Sequence, residues 1–139
     1  MVFVPSIEKV LPRFETFPNT TGMQAEEWVA NRYRQQGWEI LAQNYRRRAT
    51  ELDLVAWKQG TLAFVEVKAR KQLSPPSEIV RALLPPTKQA ALQRGAMIFI
   101  QEMEGRLFWR QARFDLVVLV LSRKDPVGFL FFPDAWEMK

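Results

Sequence analysis

Residues 62–70, Leu62-Ala63-Phe64-Val65-Glu66-Val67-Lys68-Ala69-Arg70, begin as a buried β-strand and then place a carboxylate and an ammonium where such a strand should be driest. Burying either charge without a partner is costly. Partners stand just upstream in Glu51-Leu52-Asp53-Leu54-Val55-Ala56-Trp57-Lys58, separated from the first run by a tight link at Gln59-Gly60. An antiparallel hairpin is the simplest join. With Gln59 and Gly60 as the turn, Lys58 pairs with Thr61, and counting back sets Asp53 opposite Glu66 and Glu51 opposite Lys68. A loop over 58–61 gives the same register, whereas a three-residue loop would not. The period of 2 along a strand then predicts that all four charged side chains share one face.

Opposed side chains on a sheet have Cβ atoms about 4.5–5.5 Å apart, and like charges at that separation are destabilising. Asp53 and Glu66 therefore call for a cation between them. Lys68 is one candidate and a divalent metal is another. A phosphodiester hydrolase needs these parts: a metal that acidifies water and shields phosphate, and a lysine that orients or deprotonates that water. The competing reading is a buried salt-bridge cluster of Lys68 with Glu66 or Glu51.

Composition narrows the chemistry. The 139 residues suit one domain, and the chain has neither cysteine nor histidine. Disulfides, thiolate zinc sites, cysteine nucleophiles and imidazole acid–base chemistry are excluded, leaving Asp, Glu, Lys and Tyr. Any metal would be held by oxygen, which points to Mg²⁺ or Mn²⁺. No apolar run is long enough for a membrane span, and the first residues break their apolar character with Pro5, Glu8, Lys9 and Pro12, unlike a signal peptide. A cytoplasmic protein is expected. The net charge of +5, with clusters at Tyr45-Arg46-Arg47-Arg48 and Lys68-Ala69-Arg70-Lys71, suits a polyanionic partner such as nucleic acid.

Residues 1–18, with Pro5, Pro12 and Pro18, are expected to form an irregular arm, followed by a single domain over 19–139. Asn19-Thr20-Thr21 offers helix caps, and Gly37 a stop. Between them Ala25, Trp28, Val29 and Tyr33 make one apolar face, with Glu26 at its edge and Glu27 opposite. Three strands follow, over 38–45, 51–58 and 62–70. A proline-flanked connection then holds a short helix over 77–84. Thr87 is expected to cap a second long helix with the stripe Leu92, Ala96, Phe99, Ile100 and Met103, and Lys88 lies one turn before Leu92. Strands over 114–122 and 128–132 close the chain.

With these elements in place, the sequence resembles the PD-(D/E)xK nuclease superfamily, and more closely the YraN-like family of endonucleases, which is similar to archaeal Holliday junction resolvases. The resemblance rests on Gly22-Met23-Gln24-Ala25-Glu26, Asn44-Tyr45-Arg46, Glu51-Leu52-Asp53-Leu54-Val55-Ala56, Phe64-Val65-Glu66-Val67-Lys68-Ala69-Arg70, Lys88 and Arg113-Phe114-Asp115-Leu116-Val117, in order over about residues 22–120. It implies an α/β fold with a restriction-endonuclease-like core, a central mixed β-sheet in the order α-β-β-β-α-β-β, flanked by helices. It further implies that Asp53 and Glu66 ligate the metal, that Lys68 positions or activates the attacking water, and that Glu26 completes the acidic site. The implied activity is Mg²⁺- or Mn²⁺-dependent endonuclease cleavage of DNA, including branched or structured DNA, and a homodimer is in keeping with resolvase-type enzymes. Thr50 stands where the family usually has glycine, and Leu52 where the superfamily's name has proline.

For nucleic-acid contacts the candidates are Arg46, Arg47, Arg48, Arg70 and Lys88, against the blander readings of a solvated loop and of a lysine snorkelling past Leu92. Asp115 is expected to be structural, paired with Arg113 or Arg46. The five tryptophans are expected in the core or an interface rather than stacked on bases. Two other functions stand beside the nuclease: a nucleic-acid-binding module without turnover, and a structural protein with an internal ion-pair network.

Overall fold

The computed structural model describes residues 6–7, 22–122 and 125–136. Strand β1 (Ser6–Ile7) is followed by helix α1 (Gly22–Gln35), then β2 (Glu39–Arg47), β3 (Thr50–Lys58) and β4 (Thr61–Arg70). A 3-10 turn (Pro76–Glu78) leads into α2 (Ile79–Leu83) and α3 (Pro86–Glu102), and β5 (Gln111–Ser122) and β6 (Asp125–Trp136) complete the fold. One mixed sheet has the order β1-β6-β5-β4-β3-β2. β4 and β5 are parallel, joined through α3, and every other pair is antiparallel. Apart from Ser6–Ile7, which pairs with Phe131 and Leu130, the expected arm lies outside the described residues, as do the capping candidates Asn19, Thr20 and Thr21.

Local chemistry explains most boundaries. Gly37 adopts φ +91, while the N–H of Trp38 donates to the Tyr33 carbonyl and that of Gly37 to the Arg34 carbonyl, both at 3.0 Å. This left-handed cap satisfies the last carbonyls of α1. The expected turn between β3 and β4 forms, with both Gln59 and Gly60 at positive φ, and Lys58 pairs with Thr61. The cap of α3 differs from expectation. Pro85 takes the cap position and Pro86 the first helical one, so Thr87 lies inside the helix; proline fits there because its missing N–H would have no helical partner.

The sheet separates two apolar layers. Leu54, Ala56, Ala63, Val65, Val117 and Leu119 pack with Ala25, Val29 and Tyr33 of α1. Leu62, Phe64, Phe114, Leu116 and Val118 pack with Leu92, Ala96 and Phe99 of α3. β6 (Asp125–Trp136) extends at both ends beyond the expected 128–132 and includes Pro133. Its register against β5 shifts between Phe114↔Trp136 and Leu116↔Phe132, so the proline falls in a bulge. Trp136 stacks on Phe114 with ring centroids 3.9 Å apart, and Trp57 donates to the Phe108 carbonyl at 2.7 Å, both structural roles.

Thr50 also proves structural. Its hydroxyl donates to the Ala91 carbonyl of α3 at 2.6 Å, and a Cβ placed on Gly95 would lie 2.7 Å from that oxygen and 3.1 Å from Leu52 Cδ2. Gly95→Ala is therefore expected to destabilise the fold by roughly 1–2 kcal/mol, overpacking exceeding the gain in helix propensity. The cost should shrink in a Thr50→Ala background. Denaturant unfolding of the four variants tests this, and equal costs in both backgrounds would contradict it.

Candidate active site

The ladder between β3 and β4 is paired from Lys58↔Thr61 to Leu54↔Val65. Immediately beyond, the Asp53 side chain takes over: its Oδ2 accepts the Val67 N–H at 2.8 Å. Alternation along β3 changes phase at this residue. Val55 and Trp57 pack on the α3 side and Leu54 and Ala56 on the α1 side, yet Leu52 joins the α3 side. The same reversal occurs on β2, where Asn44 has φ +51 and Tyr45 joins the α3 layer. Asparagine tolerates the left-handed region better than most residues. Asn44 thus marks a phase change inside the strand expected over 38–45, which strict alternation along that strand does not reveal.

The expected single face of four charges is therefore corrected. Glu51 is exposed and pairs with Arg46 at 3.4 Å instead of meeting Lys68. The other members do converge. Asp53 and Glu66 are buried, and Asp53 lies within hydrogen-bonding reach of both Glu66 and Glu26 from α1. Lys68 Nζ is 3.4 Å from Glu66 Oε1, and Lys88 Nζ, from α3, is 3.8 Å from the same oxygen. Lys88 thus belongs to the cluster rather than only snorkelling past Leu92. Among the described residues, the second oxygens of Glu26 and Glu66 are buried without a hydrogen-bond partner.

Burial pushes the Glu26 carboxyl up to about 8, with the Asp53 charge acting in the same direction. Burial and then Asp53 push Glu66 up to about 7, against the opposing pull of Lys88 and Lys68. Raised carboxyl groups of this kind, in contact with one another, are common where acid–base chemistry or cation binding occurs. The described residues hold no group of three or more acidic side chains already at metal-ligating geometry. Mg²⁺ does not require one, because it commonly takes one or two carboxylates and keeps water in its remaining positions. Asp53 and Glu66, all-oxygen donors with an orphaned buried oxygen between them, fit such a site.

The remaining candidates are dispersed. Arg47 is tied to Glu102, with its Nε 3.2 Å from a carboxylate oxygen, and lies over the Tyr45 ring at 4.2 Å; Tyr45 itself donates to Glu102. Arg46 and Arg48 line an open pocket of about 280 Å³ together with Lys88. Arg70 is exposed at the end of β4 and donates to its neighbour's carbonyl. A larger pocket of about 630 Å³ between α3 and Trp136 contains none of the carboxylates or lysines of the cluster.

Asp115 supports the cluster from beneath. It is fully buried and accepts from Tyr33 Oη at 2.6 Å, Arg113 Nη2 at 3.1 Å and the Asp134 N–H at 2.9 Å. Its partner is Arg113, as one of the two expected pairings had it, and the Arg113 guanidinium lies over the Trp38 ring. Tyr33 sits seven residues, about two turns, after Glu26. The Tyr33–Asp115 bond therefore sets the rotation of α1 that aims Glu26 at Asp53.

Residues 25–119 match the family described as uncharacterised protein family UPF0102. The chain belongs to this family. A UPF0102 protein from Nocardia farcinica is 40% identical over 103 residues, covering 73% of this chain and 76% of the relative. One from Solibacter usitatus is 35% identical over 123 residues, covering 85% and 88%. One from Acidiphilium cryptum is 43% identical over 101 residues, covering 71% and 73%. These UPF0102 relatives thus match along most of their own length.

The raised carboxyl groups have a consequence for stability. Between the ordinary glutamate value of 4.5 and about 8, the folded protein holds a proton on Glu26 that the unfolded chain has released. Folding then binds more protons than unfolding, so stability falls as pH rises through this window. Glu26→Gln, which stays neutral, should flatten the decline. Thermal melts from pH 5 to 9 in EDTA measure it, and an unchanged slope in Glu26→Gln would refute the assignment.

Proposed function

We propose that this UPF0102 protein is a metal-dependent endonuclease built on a restriction-endonuclease-like core, cutting phosphodiester bonds of DNA at the Asp53–Glu66–Lys68 cluster. The observation that carries the reading is the convergence of two carboxyl groups, Glu26 and Glu66, on a third, Asp53, with two ammonium groups beside Glu66, where β3 and β4 part. An internal ion-pair network would balance its charges and satisfy its oxygens. Among the described residues this cluster leaves two buried carboxylate oxygens without partners, a cost that a functional site accepts more readily than a purely structural one.

Asp53 and Glu66 would hold Mg²⁺ or Mn²⁺, which when bound supplies charge neutralisation at the phosphate and acidifies water. The protein's own groups act around it. The Val67 N–H fixes one oxygen of Asp53, orienting the carboxylate before any cation arrives. Lys68, anchored to Glu66 Oε1, holds an N–H donor beside the reacting phosphate and orients the attacking water. Glu26, pushed up to about 8, can take or return a proton near neutral pH. Lys88 adds a second positive charge on the α3 side. A pair of such sites in a homodimer belongs to the same reading and is open to sedimentation analysis.

A second reading, a nucleic-acid-binding module without turnover, is favoured by one observation: among the described residues the acids do not already stand as a group of three metal ligands. One experiment separates the two. Purified protein is incubated with duplex, single-stranded and four-way-junction DNA in Mg²⁺, Mn²⁺ or EDTA. Cleavage should require the metal and fall by about 100-fold or more in Asp53→Ala and in Lys68→Ala. Cleavage surviving both substitutions would place the activity elsewhere, and binding without cleavage in every variant would establish the module instead.

A further inference from the structure

The run Arg46-Arg47-Arg48 is uniform in sequence but divided in space. Arg47 turns to Glu102 and the Tyr45 ring. Arg46 and Arg48 face the open pocket, whose other walls include Ala49, Thr50, Glu51, Ala91 and Lys88. Lys88 is shared: it lines the pocket and stands 3.8 Å from Glu66 Oε1, so one side chain separates the pocket from the carboxylate cluster.

Three cationic side chains and one carboxylate surround the pocket. That carboxylate, Glu51, pairs with Arg46 at 3.4 Å, but both side chains are well exposed, at 44% and 73%. Such surface pairs contribute little and yield readily to a better anion. The volume of about 280 Å³ is several times the ~30 Å³ that one water occupies in the liquid, so a hydrated phosphate group fits. Arg48 also has φ +50 at the turn between β2 and β3. This left-handed conformation favours glycine or asparagine over arginine, and residues held in such conformations cluster at ligand sites.

We propose that this pocket binds a backbone phosphate of a nucleic-acid strand, beside the phosphodiester received by the Asp53–Glu66–Lys68 cluster, with Lys88 reaching both positions. The proposal takes its ligand class from the nuclease reading but does not depend on turnover. Arg46 and Arg48 are its binding residues, and Arg47 is not.

The test uses the full chain carrying Asp53→Ala, in EDTA, with fluorescent DNA and RNA duplexes of one sequence and anisotropy measured against salt concentration. Adding Arg46→Ala with Arg48→Gly should weaken binding to both and reduce the magnitude of the slope of log affinity against log salt by about one on DNA. Arg47→Ala should leave that slope unchanged. Thermal melts of each variant confirm folding, and glycine is the residue least disturbed by the local backbone of Arg48. A set of duplexes, each with one neutral methylphosphonate, then locates the contact. One position should weaken the unmodified pocket and have no effect in the Arg46→Ala, Arg48→Gly variant. Equal slope losses for Arg47→Ala and the double variant, no slope change in the double variant, or the same methylphosphonate sensitivity in both proteins would overturn the subsite. Binding that behaves as expected while wild-type protein fails to cut in Mg²⁺ or Mn²⁺ would overturn the nuclease and leave the subsite standing. If only the RNA duplex responds, the ligand is a phosphate of RNA and the DNA reading falls.

Discussion

The site depends on one hydrogen bond, the Val67 N–H to Asp53 Oδ2 at 2.8 Å. In an unbroken ladder a main-chain carbonyl would receive a strand N–H of this kind. A side chain receives it here, so β3 and β4 separate beyond Leu54↔Val65 without leaving that N–H buried and unsatisfied. The separation makes room for Glu66 and Lys68 at the end of an otherwise apolar strand. It also turns Asp53 into the hub that reaches Glu66 from the neighbouring strand and Glu26 from α1.

Two helices on opposite faces must then be held in register with that opening, and each is held by a polar contact that apolar packing alone would not specify. On the α1 face, buried Asp115 takes the Tyr33 hydroxyl, so the helix cannot rotate Glu26 away without leaving a carboxylate underbonded. Burial pushes Asp115 up, while Arg113, Tyr33 and the Asp134 N–H pull the other way. On the α3 face, Thr50 bonds the Ala91 carbonyl, and Gly95 allows the helix to approach closely. That approach brings Lys88 to Glu66. Thr50 thus helps to place the Lys88 ammonium at the site.

The order of the long elements and the hairpin register were legible because their causes are local. Gln59-Gly60 adopts the paired positive φ values of a tight hairpin, which leaves one register. The period of α1 likewise placed Glu26 at the edge of the buried face, where it is half-buried. What the sequence did not disclose depends on contacts distant along the chain. The phase change at Asn44 and Asp53 is a property of β2 and β3 as a pair, and it leaves Glu51 exposed beside Arg46. The fate of Arg47 is decided by Glu102, which is 55 residues away. The extension of β6 past 132 depends on β5, where the bulge that holds Pro133 is supported by the Asp134 N–H donating to Asp115.

On the proposed reading, a proton and a divalent cation would compete for one place. Burial and the Asp53 charge act together on Glu26 and Glu66, so without a metal both hold protons toward neutral pH, as the values of about 8 for Glu26 and about 7 for Glu66 express. A cation held by Asp53 and Glu66 would displace the Glu66 proton, because metal ligands bind deprotonated. Affinity for the cation should therefore strengthen as pH rises through 7, while the stability of the metal-free fold declines over the same range. The two trends have opposite signs and a common origin in the raised carboxyl groups of Glu26 and Glu66, which a simple salt bridge between Glu66 and Lys68 would not produce. An ion pair holds its carboxylate ionised across neutral pH. This carboxyl group remains partly protonated beside two lysines because burial and Asp53 outweigh them.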